Sequence, residues 1–454
     1  MLESALVFSI RNRWLIVILA LAAAALGLFS LRRLPIDAVP DITNNQVQIN
    51  VVLPSLSPTE IEKQVTFPIE TALAGIPGLE STRSLSRNGF SQVTAIFHDE
   101  VNIYFARQQV AERLGEAKES LPPGAELGMG PISTGLGEIY MYTVGFGPRT
   151  EHAADDHHDH AESGWQHDGI YLTPEGERLT NDLERSAYLR TVHDWLIRPQ
   201  LKGVPGVAGV DVIGGYVKQF HIQPDPMKLV SYGLTFGEVI EALEKNNVST
   251  GAGYIEHKGE SYLVRAAGRI QTLDQIEGIV VGTRSGTPLH IRDIATVAIG
   301  RELRTGSASE NGQEVVVGTA LMLIGANSRT VAAAVDARMQ EIRRTLPPDI
   351  HIQTVLNRTK LVDATIGTVE KNLAEGAVLV ILVLLLLLGN IRAALITALI
   401  IPLAMLMTFT GMVQAKVSGN LMSLGALDFG MIVDGAVIIV ENCLRRLAHR
   451  QNIE

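Results

Sequence analysis

A single cysteine, Cys443, stands in a chain of 454 residues. One thiol excludes an intrachain disulfide framework and a zinc site built from cysteines. Basic residues are also in deficit, since 38 Lys and Arg against 48 Asp and Glu leave a net charge of -10. That balance argues against nucleic acid as a partner, because phosphate binding demands a basic face. No nucleophile-base pair, phosphate-binding glycine loop or His-Glu-x-x-His helix is visible, so the chain does not read as an enzyme. One further absence matters most. The long apolar stretches of this chain hold no Lys, Arg or His, yet they do hold acids.

What is present is apolar. Hydrophobic residues make up 46% of the chain and mean hydropathy is +0.19, more than a soluble protein carries. The excess sits in one early segment and three late ones, leaving about 340 residues of globular composition between Arg32 and Lys371. Met1 to Arg13 forms a short amphipathic lead (Leu2, Leu6, Val7, Ile10) that ends in Arg11 and Arg13. Trp14 to Leu31 is an uncharged run opening on an interfacial Trp. A cleaved signal peptide is the rival reading. The run is long for that, no small-residue cleavage site follows, and Arg32-Arg33 closes it, so an uncleaved first span is expected.

The late segments are Leu373 to Ile391, Ala393 to Ala415 with Pro402 inside, and Lys416 to Arg445. Short turns at Gly389-Asn390-Ile391-Arg392 and Lys416 to Asn420 make them antiparallel neighbours. Arg11, Arg13, Arg392, Arg445, Arg446 and Arg450 fall on one side, which the positive-inside rule makes cytoplasmic. Arg32-Arg33 conflicts, but long loops translocate largely regardless of charge, so the large middle region is expected outside.

The last span carries Asp428, Asp434 and Glu441. A charged carboxylate at the bilayer centre costs about 2.5 to 3.5 kcal/mol on insertion scales, so these acids are expected to face protein or water. Helical geometry puts Asp434 and Glu441 within about 20° of one another and Asp428 roughly 120° to 140° away. With no cation inside the spans, the acids are either protonated with raised pKa values or paired with a base from elsewhere. Both cases suit a proton relay. Ligation of a divalent ion is the rival, and the lack of His or Cys neighbours favours protons.

The middle region repeats itself. A helical stretch ending Ala74-Gly75-Ile76-Pro77-Gly78-Leu79 is echoed by Leu201-Lys202-Gly203-Val204-Pro205-Gly206-Val207. Helices over about Val101 to Ser120 and Thr330 to Thr345 each stop at Leu-Pro-Pro, where proline cannot continue a helix. The first unit reads strand (Gln46 to Leu53), helix (Pro58 to Ala74), strand (Ser81 to Ser86), strand (Phe90 to Phe97), helix. That order predicts a split β-α-β, ferredoxin-like sandwich. The second copy is interrupted between about Val217 and Arg269 by an insertion with its own strands and a helix over Thr235 to Lys245, Thr235 being its N-cap. Glu151 to Asp168 is compositionally apart, with His152, His157, His158, His160 and His167 among six acids. Imidazole and carboxylate suit Zn²⁺, Ni²⁺ or Co²⁺, which allows a metal-collecting loop. No fixed ligand spacing is visible, and a solvated loop of weak metal affinity is the plainer reading.

Asp428-Phe429-Gly430, Asp434-Gly435-Ala436 and Glu441-Asn442, in a helix ending Leu444-Arg445-Arg446, resemble the fourth-helix signature of heavy-metal efflux pumps of the resistance-nodulation-division superfamily. The pattern is similar to that of the cobalt-zinc-cadmium type and differs from that of copper and silver pumps. Leu34-Pro35-Ile36-Asp37-Ala38-Val39-Pro40-Asp41 and Gly389-Asn390-Ile391-Arg392-Ala393 add to the resemblance, which covers the chain except the His-rich loop.

The resemblance implies a membrane α-helical bundle plus periplasmic α+β ferredoxin-like porter subdomains with a docking insertion. The expected division is a lead at 1–13, spans at 14–31, 371–391, 393–415 and 417–444, and a cytoplasmic end at 445–454. The first porter subdomain is expected at 32–133, the second at 134–184 and 279–365, and the docking subdomain at 185–278. Members are about twice this length, so the chain is expected to be the N-terminal portion of a longer pump. The implied activity is proton-driven efflux of zinc, cobalt, cadmium or nickel across the inner membrane, with Asp428, Asp434 and Glu441 as relay. The metal ions are substrate, and no cofactor is implied. The implied partners are two further copies in a homotrimer, a periplasmic adaptor and an outer-membrane channel. A pump for organic compounds, or a non-pumping component of an export system, is the alternative. Met129, Met141, Glu138 and His221 lie in the right region for metal contact, though the central substrate site is expected in a second periplasmic loop beyond this sequence.

Overall fold

The computed structural model of the chain describes residues 2–34, 43–54, 56–147, 163–266, 268–284, 286–302, 304, 306–388 and 391–415, and beyond these 419, 435, 438–443 and 445. Helix α1 (Leu2–Arg11) is followed by α2 (Arg13–Arg33), with Asn12 between them out of helical conformation at φ -113, ψ 45. The stretch Arg13–Leu31 is long and apolar enough to cross a membrane.

The first α/β unit contains β1 (Asn45–Val52), α3 (Pro58–Ile61), a π turn (Glu62–Thr66), α4 (Phe67–Leu73), β2 (Leu79–Arg87), β3 (Phe90–Phe97), α5 (Ile103–Lys118) and β4 (Glu126–Met129). Strand alternation turns Val47, Ile49 and Val51 of β1 to one face. There they meet Ile61, Val65, Ile69 and Leu73 of the first helical segment and Ala106, Val110 and Leu114 of α5 in one core. The sheet order is β2-β3-β1-β4, all antiparallel. This is the split β-α-β order read from the sequence.

The second unit opens with β5 (Glu138–Phe146) and a small sheet of β6 (Gly164–Trp165), β7 (Tyr171–Leu172) and β8 (Arg178–Leu179). It continues through α6 (Asp182–Val192), a π turn (His193–Ile197), α7 (Arg198–Lys202) and β9 (Val207–Ile213). An inserted unit follows, comprising β10 (Lys218–Pro224), α8 (Pro226–Tyr232), α9 (Phe236–Asn246), β11 (Thr250–His257), β12 (Glu260–Ala266), α10 (Leu273–Glu277), β13 (Val280–Arg284), β14 (Thr287–His290), α11 (Ile291–Ile294) and β15 (Ala295–Arg301). The second unit then resumes with β16 (Ala308–Glu310), β17 (Gln313–Met322), α12 (Ser328–Arg343) and β18 (Ile350–Asn357). Its main sheet runs β9-β17-β5-β18, with β16 hairpinned onto β17. Four strands thus repeat the order of the first unit.

The repeat extends to detail. Both π turns are followed by a proline at the second helical position, Pro68 and Pro199. Proline brings no N–H for the carbonyl four residues back, and the wider turn absorbs the missing bond. Gly78 and Gly206 both have left-handed φ, +79° and +90°. A Cβ at Gly78 would meet Val101 at 2.6 Å, and one at Gly206 would meet Val331 at 2.5 Å, in each case beside the second helix of the unit.

The inserted helix read from Thr235 is α9, with the Thr235 hydroxyl accepting from the Glu238 N–H at 3.3 Å. The inserted unit starts at β10, close to the expected Val217, and runs on past the expected Arg269 to β15, so its limits are not those of the expected docking subdomain, 185–278. Leu189, Val192, Ile197, Leu201 and Val210 are buried with Tyr142, Val316 and Val335 in the core of the second unit. Leu229, Val239, Ile276, Leu289, Ile291 and Ile294 share a separate core. Burial therefore groups 182–213 with the second sheet and the elements from β10 to β15 with one another.

Beyond β18 come α13 (Arg358–Leu388) and α14 (Ile391–Gln414). Leu395–Gln414 is long and apolar enough to cross a membrane, whereas α13 carries a shorter apolar stretch, Ala374–Val383. Two of the four expected spans thus have span-length apolar helices among the described residues. The expected fourth, 417–444, lies almost wholly outside them.

Candidate functional site

Helices α2 and α14, each with a stretch long and apolar enough to cross a membrane, pack against one another. Leu34 and Phe409 are buried together, with Leu31, Met405, Leu406, Met412 and Val413 against them. The helices touch at Gly27, where an added methyl would strike the backbone and Cβ of Leu406. Glycine here permits the close approach.

Asp428 and Asp434 lie outside the described residues, and Glu441 is exposed in the helical stretch 438–443. His152, His157, His158 and His160 lie outside them too. His167 is exposed in the turn between β6 and β7. Among the described residues no group of three or more His, Cys, Asp or Glu is placed to hold a metal ion. Met129 packs against the first core, Glu138 opens β5 exposed, Met141 is half-buried on the same strand, and His221 is half-buried on β10. The fold does not bring these four together.

The stems of the His-rich segment are held by one residue. The Gly147 N–H donates to the Asp349 carbonyl at 2.8 Å, and the Trp165 N–H donates to Asp349 Oδ2 at 3.1 Å. Asp349 itself sits at φ 60°. Trp165 is wedged among Phe146 and Tyr171, at ring separations of 5.4 and 5.5 Å. Asp168, counted with the segment by composition, is paired with Arg178 at 2.8 Å.

The most developed polar arrangement was not foreseen. His193, fully buried at the start of the second π turn, faces the Tyr142 hydroxyl at 3.0 Å through Nε2 and Asp194 Oδ1 at 3.0 Å through Nδ1. The ionised Asp194 accepts from Nδ1–H, which leaves Nε2 to accept from Tyr142. Asp194 Oδ2 also receives Arg190 Nε at 2.7 Å, and Arg198 stands 3.8 Å from Oδ1. Burial lowers the His193 pKa from its ordinary value and raises that of the Tyr142 hydroxyl. For Asp194 burial acts upward, but hydrogen bonds from His193 and Arg190 outweigh it and the net shift is downward. Nearby, Tyr140 donates to Asp336 and meets Thr354, both at 2.7 Å, and burial pushes it up to about 12. The array surfaces in a cleft of about 250 Å³ lined by Arg190, Asp194, Trp195, Lys218 and Phe220, where the inserted unit meets the second. His193-Asp194 was visible in the sequence only as two adjacent polar residues.

The joint itself is built from Gly214 and Gly215, at φ +89° and +66°. Next to them, Tyr216 lies under both Arg301 and Arg304, at 4.8 and 4.7 Å. Lys218 reaches across to Glu177 at 2.7 Å.

Two matching split β-α-β units, the second interrupted, with apolar helices before and after them, define the class of protein. The chain belongs to the AcrB/AcrD/AcrF family, whose model matches residues 5–454.

Within that family it is similar to metal-resistance proteins. It is 56% identical over 460 residues to the nickel-cobalt-cadmium resistance protein NccA of Alcaligenes xylosoxydans xylosoxydans, covering 100% of this chain and 42% of that protein. Identity to the cobalt-zinc-cadmium resistance protein CzcA of Cupriavidus metallidurans is 56% over 451 residues, covering 99% of this chain and 40% of that one. The cation efflux system protein CusA of Escherichia coli K12 is 34% identical, over 98% of this chain and 40% of its own. A crystal structure of a heavy metal efflux pump matches with TM-score 0.79 and 33% identity, covering 96% of this chain and 40% of that chain. The chain therefore spans less than half the length of these relatives. The resemblance first read from the Asp428 to Asn442 motif holds along the whole chain.

Proposed function

We propose that this chain serves in a proton-driven inner-membrane pump that exports divalent heavy-metal cations, namely zinc, cobalt, cadmium or nickel. The observation that carries the reading is the identity of 56% to proteins named for nickel, cobalt, zinc and cadmium resistance, against 34% for the Escherichia coli cation efflux protein. In this reading the chain crosses the membrane four times, at 14–31, 371–391, 393–415 and 417–444. The two α/β units are periplasmic porter subdomains and the inserted unit is the docking subdomain. The pump works as a homotrimer with a periplasmic adaptor and an outer-membrane channel.

Asp428, Asp434 and Glu441 form the relay. A carboxylate whose charged form is disfavoured by burial takes a proton from one side and releases it to the other as its surroundings change. The cation is cargo, moved in the opposite direction. The segment 151–168 gathers divalent ions weakly at the periplasmic surface, through His152, His157, His158, His160 and His167.

The test is Asp434→Asn in the full-length protein. It abolishes zinc and cobalt resistance while protein level, trimer assembly and metal binding stay at parental values. Undiminished tolerance refutes the relay. Lost metal binding would instead make Asp434 a ligand.

A further inference from the structure

We propose that the inserted unit swings about Gly214-Gly215 to close the cleft between Trp195 and Phe220, and that Arg190 is the pin that holds this cleft open. The two units have separate cores, Leu229, Val239, Ile276 and Ile291 in one and Tyr142, Val316 and Val335 in the other. The chain passes between them twice, side by side. Strands β10 and β15 pair from Pro224 with Ala295 to Lys218 with Arg301, and the Glu302 N–H then donates to the Val217 carbonyl at 3.0 Å. Just past this two-stranded neck, the outward crossing holds Gly214 and Gly215 at φ +89° and +66°. Glycine can change φ and ψ widely without a steric penalty, and a hinge needs only one or two such residues.

The Gly214 carbonyl belongs to the peptide plane that joins the two glycines, so a change of ψ at Gly214 or of φ at Gly215 turns it. Arg190 Nη1 donates to that carbonyl at 3.0 Å, while Nε of the same side chain donates to Asp194 Oδ2 at 2.7 Å. Asp194 is in turn held by His193, whose other ring nitrogen meets Tyr142 of β5. One guanidinium fork thus ties the hinge plane to the sheet of the second unit, through charge-assisted bonds in fixed geometry. The stem of the same arginine closes over the joint, since a Cβ at Gly215 would meet Arg190 Cβ at 2.8 Å. Trp195 of the second unit is 82% exposed and Phe220 of the inserted unit 43%. They line the cleft of about 250 Å³ from opposite units, so closure brings the two rings together and takes their apolar surface out of water. The open volume is the room in which the inserted unit moves.

The experiment uses the full-length protein with every native cysteine, Cys443 among them, replaced by serine, and with Gln219→Cys carrying bimane, a fluorophore that tryptophan quenches on contact. Gln219 is exposed and lines the cleft. Each fluorescence is compared with that of the same protein carrying Trp195→Phe, so that quenching by Trp195 alone is read. The parent is expected to show little quenching and Arg190→Met several-fold more. Arg190→Lys keeps a cation beside Asp194 but offers one ammonium to two acceptors, and should fall between them, which keeps the pin testable if the methionine variant does not fold. Glu177→Gln cuts the exposed pair with Lys218 and should stay at the parental level. Quenching unchanged in the Arg190 variants overturns the proposal, and so does strong quenching already present in the parent. A rise in Glu177→Gln as large as that in Arg190→Met overturns the assignment of the pin to Arg190.

Discussion

Replacing His193 by Gln tests whether the buried array is the arrangement described. In the folded chain burial holds the imidazole below its ordinary 6.5, so it stays neutral where an unfolded histidine takes up a proton. A group whose folded pKa is depressed contributes stability above its unfolded pKa and loses it as pH falls. Asp194 is shifted downward from 3.8 and Tyr142 upward from 10.0, so neither facing group titrates in the same interval. Between about pH 7.5 and about pH 5.5 the unfolded state gains close to one proton at this position, which removes about 1.4 kcal/mol if the folded ring remains neutral. Gln offers a donor to Asp194 and an acceptor to Tyr142 but has no proton to gain. Urea unfolding of parent and His193→Gln protein at both pH values gives the difference of differences, in which the other histidines cancel. The parent is expected to lose about 1.4 kcal/mol more than the variant over the interval. Equal pH dependence in the two, within about 0.5 kcal/mol, refutes a neutral buried His193.

Three more outcomes follow from particular contacts. Gly27→Val forces α2 away from Leu406 and is expected to cost about 1 to 3 kcal/mol, read as a lowered thermal midpoint in detergent, with Gly27→Ala less affected. Asp349→Ala removes the acceptor for the Trp165 N–H and leaves a non-glycine residue at φ 60°, a loss of about 1 to 3 kcal/mol by urea unfolding. Asp349→Gly, which relieves the backbone, should fall between that variant and the parent. Deleting 151–162 should lower metal tolerance only mildly in growth assays, and complete loss of export would show that the segment is essential. The deletion stops short of Gly164 because β6 and Trp165 belong to the packed second unit.

Local chemistry made the repeating elements legible. Leu121-Pro122-Pro123 and Leu346-Pro347-Pro348 end α5 and α12 within a few residues of the expected positions, because a missing N–H and a blocked conformation act without help from the rest of the fold. The alternation in β1 and the cap at Thr235 are local in the same sense. The start of the insertion near Val217 was legible, but the limits expected for the docking subdomain were not. Leu189 and Val192 sit on a helix with weak amphipathic contrast, and only their burial against Val316 and Val335, far along the chain, assigns α6 to the second unit. The His193 array failed to show for the same reason, since Tyr142 and His193 are 51 residues apart and meet only when β5 passes under the π turn. Of the expected relay, the structure describes Glu441 alone.

The helix leading out of the second unit shows what such distant contacts add. From apolar composition alone the second span starts near 371, yet α13 begins at Arg358, directly after β18, and runs unbroken to Leu388. The residues before the expected span add about 20 Å of helix at 1.5 Å per residue. This part is fastened to the second unit at several points. Asn357 Oδ1 accepts the Thr359 N–H at 2.9 Å. Asp363 pairs with Arg329 of α12 at 2.8 Å, and Val362 is fully buried. The exposed ion pair adds little energy, but the buried valine and the continuous backbone leave no joint between strand and helix. A helix clamped in this way tilts only with its strand and with α12. In the pump proposed here, a change in the charge of membrane carboxylates that moves this helix moves the second periplasmic unit as well, and the Gly214-Gly215 joint is where the inserted unit can stay behind.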